Sequence, residues 1–163
     1  MSRDVLLGVD LVDISRMERP RRDLEPHFRN VLGTGLHTGS QARSTVELAA
    51  DFSVRESLIK AVGGRFPGMS LNDLRPDDPD SGAGYGEHLL LAVADQMRDT
   101  TDFCLTHKGR YLLEGPTAAH ACARMGDPDG ARPVGYVGWG EKADQLVSIV
   151  IVIDEPHQED PLS

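Results

Sequence analysis

The chain's 163 residues, 39% of them apolar, suffice for one compact domain whose core needs neither disulfides nor a structural metal. With 17 Lys and Arg against 26 Asp and Glu, the net charge is −9, which excludes a surface built to neutralise nucleic-acid phosphates or anionic lipid and makes any phosphate site a local feature. Cys104 and Cys122 form no CxxC pair and have no zinc-spaced histidines nearby, so two free thiols in a reducing cytosol are expected.

The opening MSRDVLLGVD lacks a signal peptide's apolar run and small-residue cleavage site, and the longest apolar stretch, 146–153, is far too short to cross a bilayer. A soluble, cytoplasmic protein follows as the expectation. Residues 5–14, VLLGVDLVDI, are nearly continuous in aliphatic and β-branched side chains, the pattern of a strand buried on both faces that runs into a helix near Ser15. Asp10 and Asp13 break that pattern. An unpaired carboxylate is costly in such a run, so Asp10 either serves a strand-end turn or cap, or meets a cation; this segment alone leaves both open.

Residues 15–30 set Arg16, Arg19, Arg21, Arg22 and Arg29 against Glu18, Asp23 and Glu25, a locally basic segment that a solvated helical face would equally produce. A helix is expected over about 45–62. Ser44 with Glu47 three residues on is a capping-box signature, and Gly63 with Gly64 supplies a left-handed stop. Leu48, Phe52, Ile59 and Val62 form its core-facing stripe, and Glu56 and Lys60, four apart, share a face beside Arg55. Such a pair is commonly no more than a surface ion pair.

Residues 75–86, rich in Pro, Asp and Gly, read as a mobile loop, and 87–98 as an amphipathic helix. Short strands at 103–105 and 110–113 precede a helix over 116–125 with proline in its first turn, and 126–133 reads as a second loop. Residues 146–153, LVSIVIVI, form a buried strand. The domain spans 1–155, and the acidic tail 156–163 is expected to fray.

Gly8, Asp10 and Arg16 in the first strand, followed by Phe52, Glu56, Lys60 and Ala61 in the helix, together resemble the paired motifs of the holo-acyl-carrier-protein synthase family, the small 4′-phosphopantetheinyl transferases. The stretch from Ser70 through Leu74 is similar to that family's entry into its next strand, and GRYLLEGPTAAHACAR is similar to its following strand and alanine-rich helix. The resemblance covers 4–75 and 107–153 and leaves 76–106 as an insertion. It implies an α+β fold, an antiparallel sheet packed against one long helix.

The resemblance also implies a chemistry: transfer of the 4′-phosphopantetheine arm of coenzyme A to a serine of an apo acyl carrier protein. Asp10 and Glu56 would hold magnesium, and Lys60 would neutralise phosphate or help remove the serine proton. Arg55 and Glu141 would join Lys60 around coenzyme A, and Arg16, Arg21 and Arg22 would meet the acidic carrier protein within a Debye length of about 8 Å. A homotrimer with sites between protomers is implied as well.

Two departures mark the chain. Arg55 stands where the family usually has lysine. The family's Ser-His or Thr-His motif before the last strand is either Thr106-His107, right in residues, or Trp139 to Lys142, right in position, with Glu141 where histidine is usual. The positional alignment is preferred, which makes the histidine absent. The alternative is a family member with lost or altered chemistry, acting as a carrier-protein binding module or a repurposed biosynthetic enzyme.

Overall fold

The computed structural model describes residues 4–18, 44–77, 84–127 and 132–155. Strands β1 (Leu6–Asp13), β2 (Leu74–Asp77), β3 (His107–Leu113), β4 (Arg132–Lys142) and β5 (Gln145–Glu155) form one antiparallel sheet in the order β1-β5-β4-β3-β2. Helices α1 (Thr45–Ala61) and α3 (Gly115–Arg124) contribute to a core on one face. There Val54, Leu58, Ala121 and Met125 meet Tyr111, Val137, Val150 and Val152. The other face is covered by α2 (Tyr85–Thr101), where Leu90 joins Leu112, Tyr136, Ile149, Ile151 and Ile153. Two-sided cover explains why β5 is apolar on both faces from Leu146 to Ile153, Ser148 excepted, although its neighbours are antiparallel.

The first strand departs from the expectation of burial on both faces. β1 is an edge strand, and only alternate side chains are covered: Leu6 and Asp10 face α1, while Leu7, Val9 and Leu11 are exposed on the α2 side. The cause is that α2 packs over β4 and β5 and leaves β1 bare. Against α1, β1 is close. A Cβ built on Gly8 would lie 1.9 Å from the carbonyl oxygen of Ser57, so only glycine admits this approach of strand to helix.

The N-terminus of α1 carries the expected capping box: the Ser44 hydroxyl accepts from the Glu47 amide at 3.2 Å, and the Ser44 amide donates to Glu47 Oε2 at 2.8 Å. Gly63 and Gly64 end it at φ 97° and 99°.

Other expectations need correction. Residues 75–77, expected in a loop, belong to β2, where Asp77 pairs with Arg110; 78–83 lie outside the described residues. Residues 103–105 form no strand, and pairing with β4 carries β3 back to His107 in one piece. Arg132 and Pro133, also expected in a loop, begin β4, a strand that the sequence reading did not anticipate. Segment 76–106 contributes α2, longer than expected at both ends. The tail 156–163 lies outside the described residues. Among them, no helix is long and apolar enough to cross a membrane, and both cysteines are free.

Candidate functional site

Asp10 is 8% exposed, on the α1 side of an edge strand, where water cannot fully solvate its carboxylate. Lys60 reaches it from the last turn of α1: its Nζ lies 2.6 Å from Asp10 Oδ1 and donates to the Val9 carbonyl oxygen at 3.2 Å. The second carboxylate oxygen, Oδ2, is buried and has no hydrogen-bond partner among the described residues. An orphaned anionic acceptor beside a half-exposed lysine is the strongest chemical irregularity of this face.

Glu56 stands one turn before Lys60, and Phe52 one turn before Glu56, so the three share a flank of α1. The Glu56 carboxylate is held by Arg65, whose Nη2 lies 3.2 Å from Oε1. Beside Asp10 opens a cleft of about 420 Å³ whose lining includes Asp13, Arg16, Met17 and Phe52. Arg16, in the 3-10 turn Ile14–Met17 that follows β1, is largely exposed, with Nη1 3.9 Å from Asp13 Oδ2. The basic side chain and Asp10 therefore border one opening.

Among the described residues, no group of three or more His, Cys, Asp or Glu side chains is placed to hold a metal ion. Magnesium does not require one: it takes one or two carboxylates and completes its shell with phosphate oxygens and water. The orphaned Oδ2 of Asp10 fits such a hard cation, and Glu56 is the carboxylate one turn before Lys60 on the same flank of α1.

Several expected residues are not gathered here. Arg55 is 4% exposed and directs Nη1 toward the Leu71 carbonyl oxygen at 3.5 Å, away from Asp10. Its charge acts instead near Tyr111, whose hydroxyl is pushed up to about 12 by burial and by Asp51, against the opposing pull of Arg55. Glu141 is exposed near the end of β4. The pairings put it two strands and two residues from Asp10, roughly 12 Å within one chain. Arg21 and Arg22 lie outside the described residues.

The two segments that compete for the histidine motif prove to be neighbours. His107 pairs with Trp139 across β3 and β4, their rings stacked at 3.8 Å and 2°, and His107 Nδ1 is 3.0 Å from Thr106 Oγ1. They help line a cavity of about 360 Å³ with Asp51 and Tyr111, on the flank of α1 away from Lys60. Arg65, the partner of Glu56, was not anticipated. Nor was a buried serine cluster beside Asp10: Ser148 Oγ lies 2.5 Å from Ser57 Oγ and 2.7 Å from Ser53 Oγ.

Comparison with solved structures finds a similar one, the crystal structure of a holo-ACP-synthase from Plasmodium yoelii. The TM-score is 0.53 and the identity 12%, over 96% of this chain and 100% of that one. No protein-family model matches the chain. No curated protein matches it either. At that identity the likeness shows the fold alone: an α+β domain, built on a five-stranded antiparallel sheet, that shares its fold with a holo-ACP synthase.

Proposed function

We propose that this protein is a phosphopantetheinyl transferase that moves the 4′-phosphopantetheine arm of coenzyme A to a serine of an apo acyl carrier protein, with magnesium at Asp10 and Glu56. One observation carries the reading: a buried carboxylate with an orphaned oxygen, met by a lysine from the facing helix, on a fold shared with a holo-ACP synthase. Magnesium, when bound, supplies positive charge to the phosphoryl oxygens. Lys60 adds its ammonium to the same charge once it turns from Asp10 to phosphate. Asp10 and Glu56 would hold the ion, and Lys60 would orient the pyrophosphate so that the carrier serine approaches in line. The new bond joins the serine oxygen to phosphorus, the bond to the nucleotide phosphate breaks, and adenosine 3′,5′-bisphosphate and the serine proton leave.

Arg16 at the mouth of the cleft is proposed to meet the carrier's acidic surface, together with Arg21 and Arg22. The exposed row Leu7, Val9 and Leu11 supports association of identical chains through β1, and a homotrimer is the assembly proposed by analogy with the family. Glu141, exposed roughly 12 Å from Asp10 within one chain, is proposed to meet the nucleotide end of coenzyme A, on the same chain or across such an interface. The occupied Glu56 carboxylate favours one second reading, a carrier-binding module without turnover.

Intact-mass measurement of apo carrier proteins incubated with this protein, coenzyme A and magnesium tests the proposal. A magnesium-dependent gain of one phosphopantetheine is expected. Binding without any mass gain across a panel of carriers would establish the second reading instead.

A further inference from the structure

Ser53, Ser57 and Ser148 are each fully buried, where a hydroxyl needs a partner for its proton. Their spacing provides one closed order: Ser53 donates to Ser148 Oγ at 2.7 Å, Ser148 donates to Ser57 Oγ at 2.5 Å, and Ser57 donates to the Ser148 carbonyl oxygen at 3.3 Å. Ser53 and Ser57 lie one turn apart on α1, and Ser148 is the residue of β5 paired with Asp10. The cluster therefore joins the helix bearing Glu56 and Lys60 to the strand that flanks Asp10. Apolar packing holds a helix by shape, and these three bonds add a directional constraint that is met at one rotation and one height. Gly8, in contact with the Ser57 carbonyl, fixes the same turn of α1 against β1.

We infer that Ser148 is a positioning residue: by bridging Ser53 and Ser57 it sets the rotation of α1 that brings Lys60 onto Asp10, with Glu56 on the same flank of the helix. The inference rests on the reading above that these three residues form the reacting site.

The test compares wild type, Ser148→Ala, the triple variant Ser53→Ala, Ser57→Ala, Ser148→Ala, and Ile151→Val, a core change on the opposite face of the sheet. Three quantities are read: melting temperature, the NMR signal of the Lys60 ammonium protons held on Asp10 and Val9, and magnesium-dependent transfer. Ser148→Ala should lose the Lys60 signal and lower kcat about tenfold, with the KM for carrier protein changed less than about twofold. The triple variant, which removes every partner together, should recover melting temperature yet leave the Lys60 signal absent. Ile151→Val should retain that signal. Persistence of the Lys60 signal in both serine variants, or its equal loss in Ile151→Val, would overturn the inference. Failure of the proposed function reads differently: wild type then transfers nothing, while the dependence of the Lys60 signal on Ser148 still stands or falls without turnover.

Discussion

Lys60 Nζ and Asp10 Oδ1, 50 positions apart in the chain, meet at 2.6 Å where the end of α1 crosses β1, and the other Asp10 oxygen is left buried without a partner among the described residues. The pair is half open to water on the lysine side, so its contribution to stability is modest; its significance lies in the uncompensated oxygen.

Asp10→Asn keeps the shape of the side chain and removes the charge that a divalent cation needs. Transfer should fall by about a hundredfold or more, since charge stabilisation of the phosphoryl group is lost. The apo melting temperature should stay within about 3 °C of wild type, because the variant also relieves an orphaned buried anion. Glu56→Ala should act on transfer in the same way. Intact-mass assays, with thermal shifts in magnesium and coenzyme A, measure both effects. Near-wild-type turnover in either variant refutes the metal assignment.

Tyr111 gives a prediction that does not depend on the enzyme. Burial first, then the negative charge of Asp51, raises its hydroxyl from 10.0 to about 12 in the folded protein. The folded state therefore holds this proton more tightly than the unfolded chain. The associated stability is fully present below pH 10 and is lost as pH rises through about 12, on the order of 3 kcal/mol in all. Tyr111→Phe should remove that part of the slope. Urea melts at pH 9 and pH 11.5 measure it, and equal slopes in both proteins would show that Tyr111 ionises in the folded state as readily as in the unfolded one.

The parts of the fold legible in sequence were those with local causes. The capping box at Ser44, the glycine stop of α1 and the apolar run of β5 each depend on residues a few positions apart, and each formed. β4 was missed because glycines at 135, 138 and 140 weaken a strand signal. Their purpose is nonlocal: a Cβ on Gly140 would lie 1.9 Å from the Cys104 carbonyl oxygen. One-sided exposure of β1 likewise depends on where α2 lands. Of the candidate site, Asp10 stood out as a charge in an apolar run, whereas the spacing of Glu56 and Lys60 signalled no more than an ion pair, and only the family resemblance singled them out. The serines did not stand out, since Ser148 meets Ser53 across 95 positions and polar residues in an apolar run carry no record of their partners.

Arg16 tests the cleft's electrostatics. Its guanidinium is largely exposed, yet it shares the opening beside Asp10, so reversal to glutamate should act on encounter and not on folding. Arg16→Glu, alone and combined with Arg21→Glu and Arg22→Glu, should lower kcat/KM for carrier protein several-fold at low ionic strength with kcat little changed. The wild-type rate should itself fall as salt rises, because screening shortens the reach of the patch to about 8 Å at physiological ionic strength. Association as fast as wild type at low salt would make the arginines a solvated face.

The outward face of β1 decides whether the site is completed by a second chain. Leu7 and Leu11 are 55% and 54% exposed and Val9 is 43% exposed, all on the strand that carries Asp10, and the strand's outer edge has no neighbour among the described residues. An exposed row of aliphatic side chains on an edge strand invites pairing with another chain, which buries apolar area at about 25 cal/mol per Å². If copies of this chain cover it, Leu7→Lys with Leu11→Lys should convert the assembly to monomer in sedimentation while each monomer keeps its fold, since neither side chain contributes to the intramolecular core. The consequence for chemistry separates two arrangements. Glu141 lies roughly 12 Å from Asp10 within one chain, so a coenzyme that touches both either stays on one protomer or, with its nucleotide held by a neighbouring copy, bridges two. In the bridging arrangement the lysine variant loses coenzyme A binding together with assembly, and Glu141→His changes coenzyme A affinity in the assembled protein but not in the monomer. A monomeric variant that still binds coenzyme A and transfers at the wild-type rate would place the whole site on one chain and leave the apolar row without a part in it.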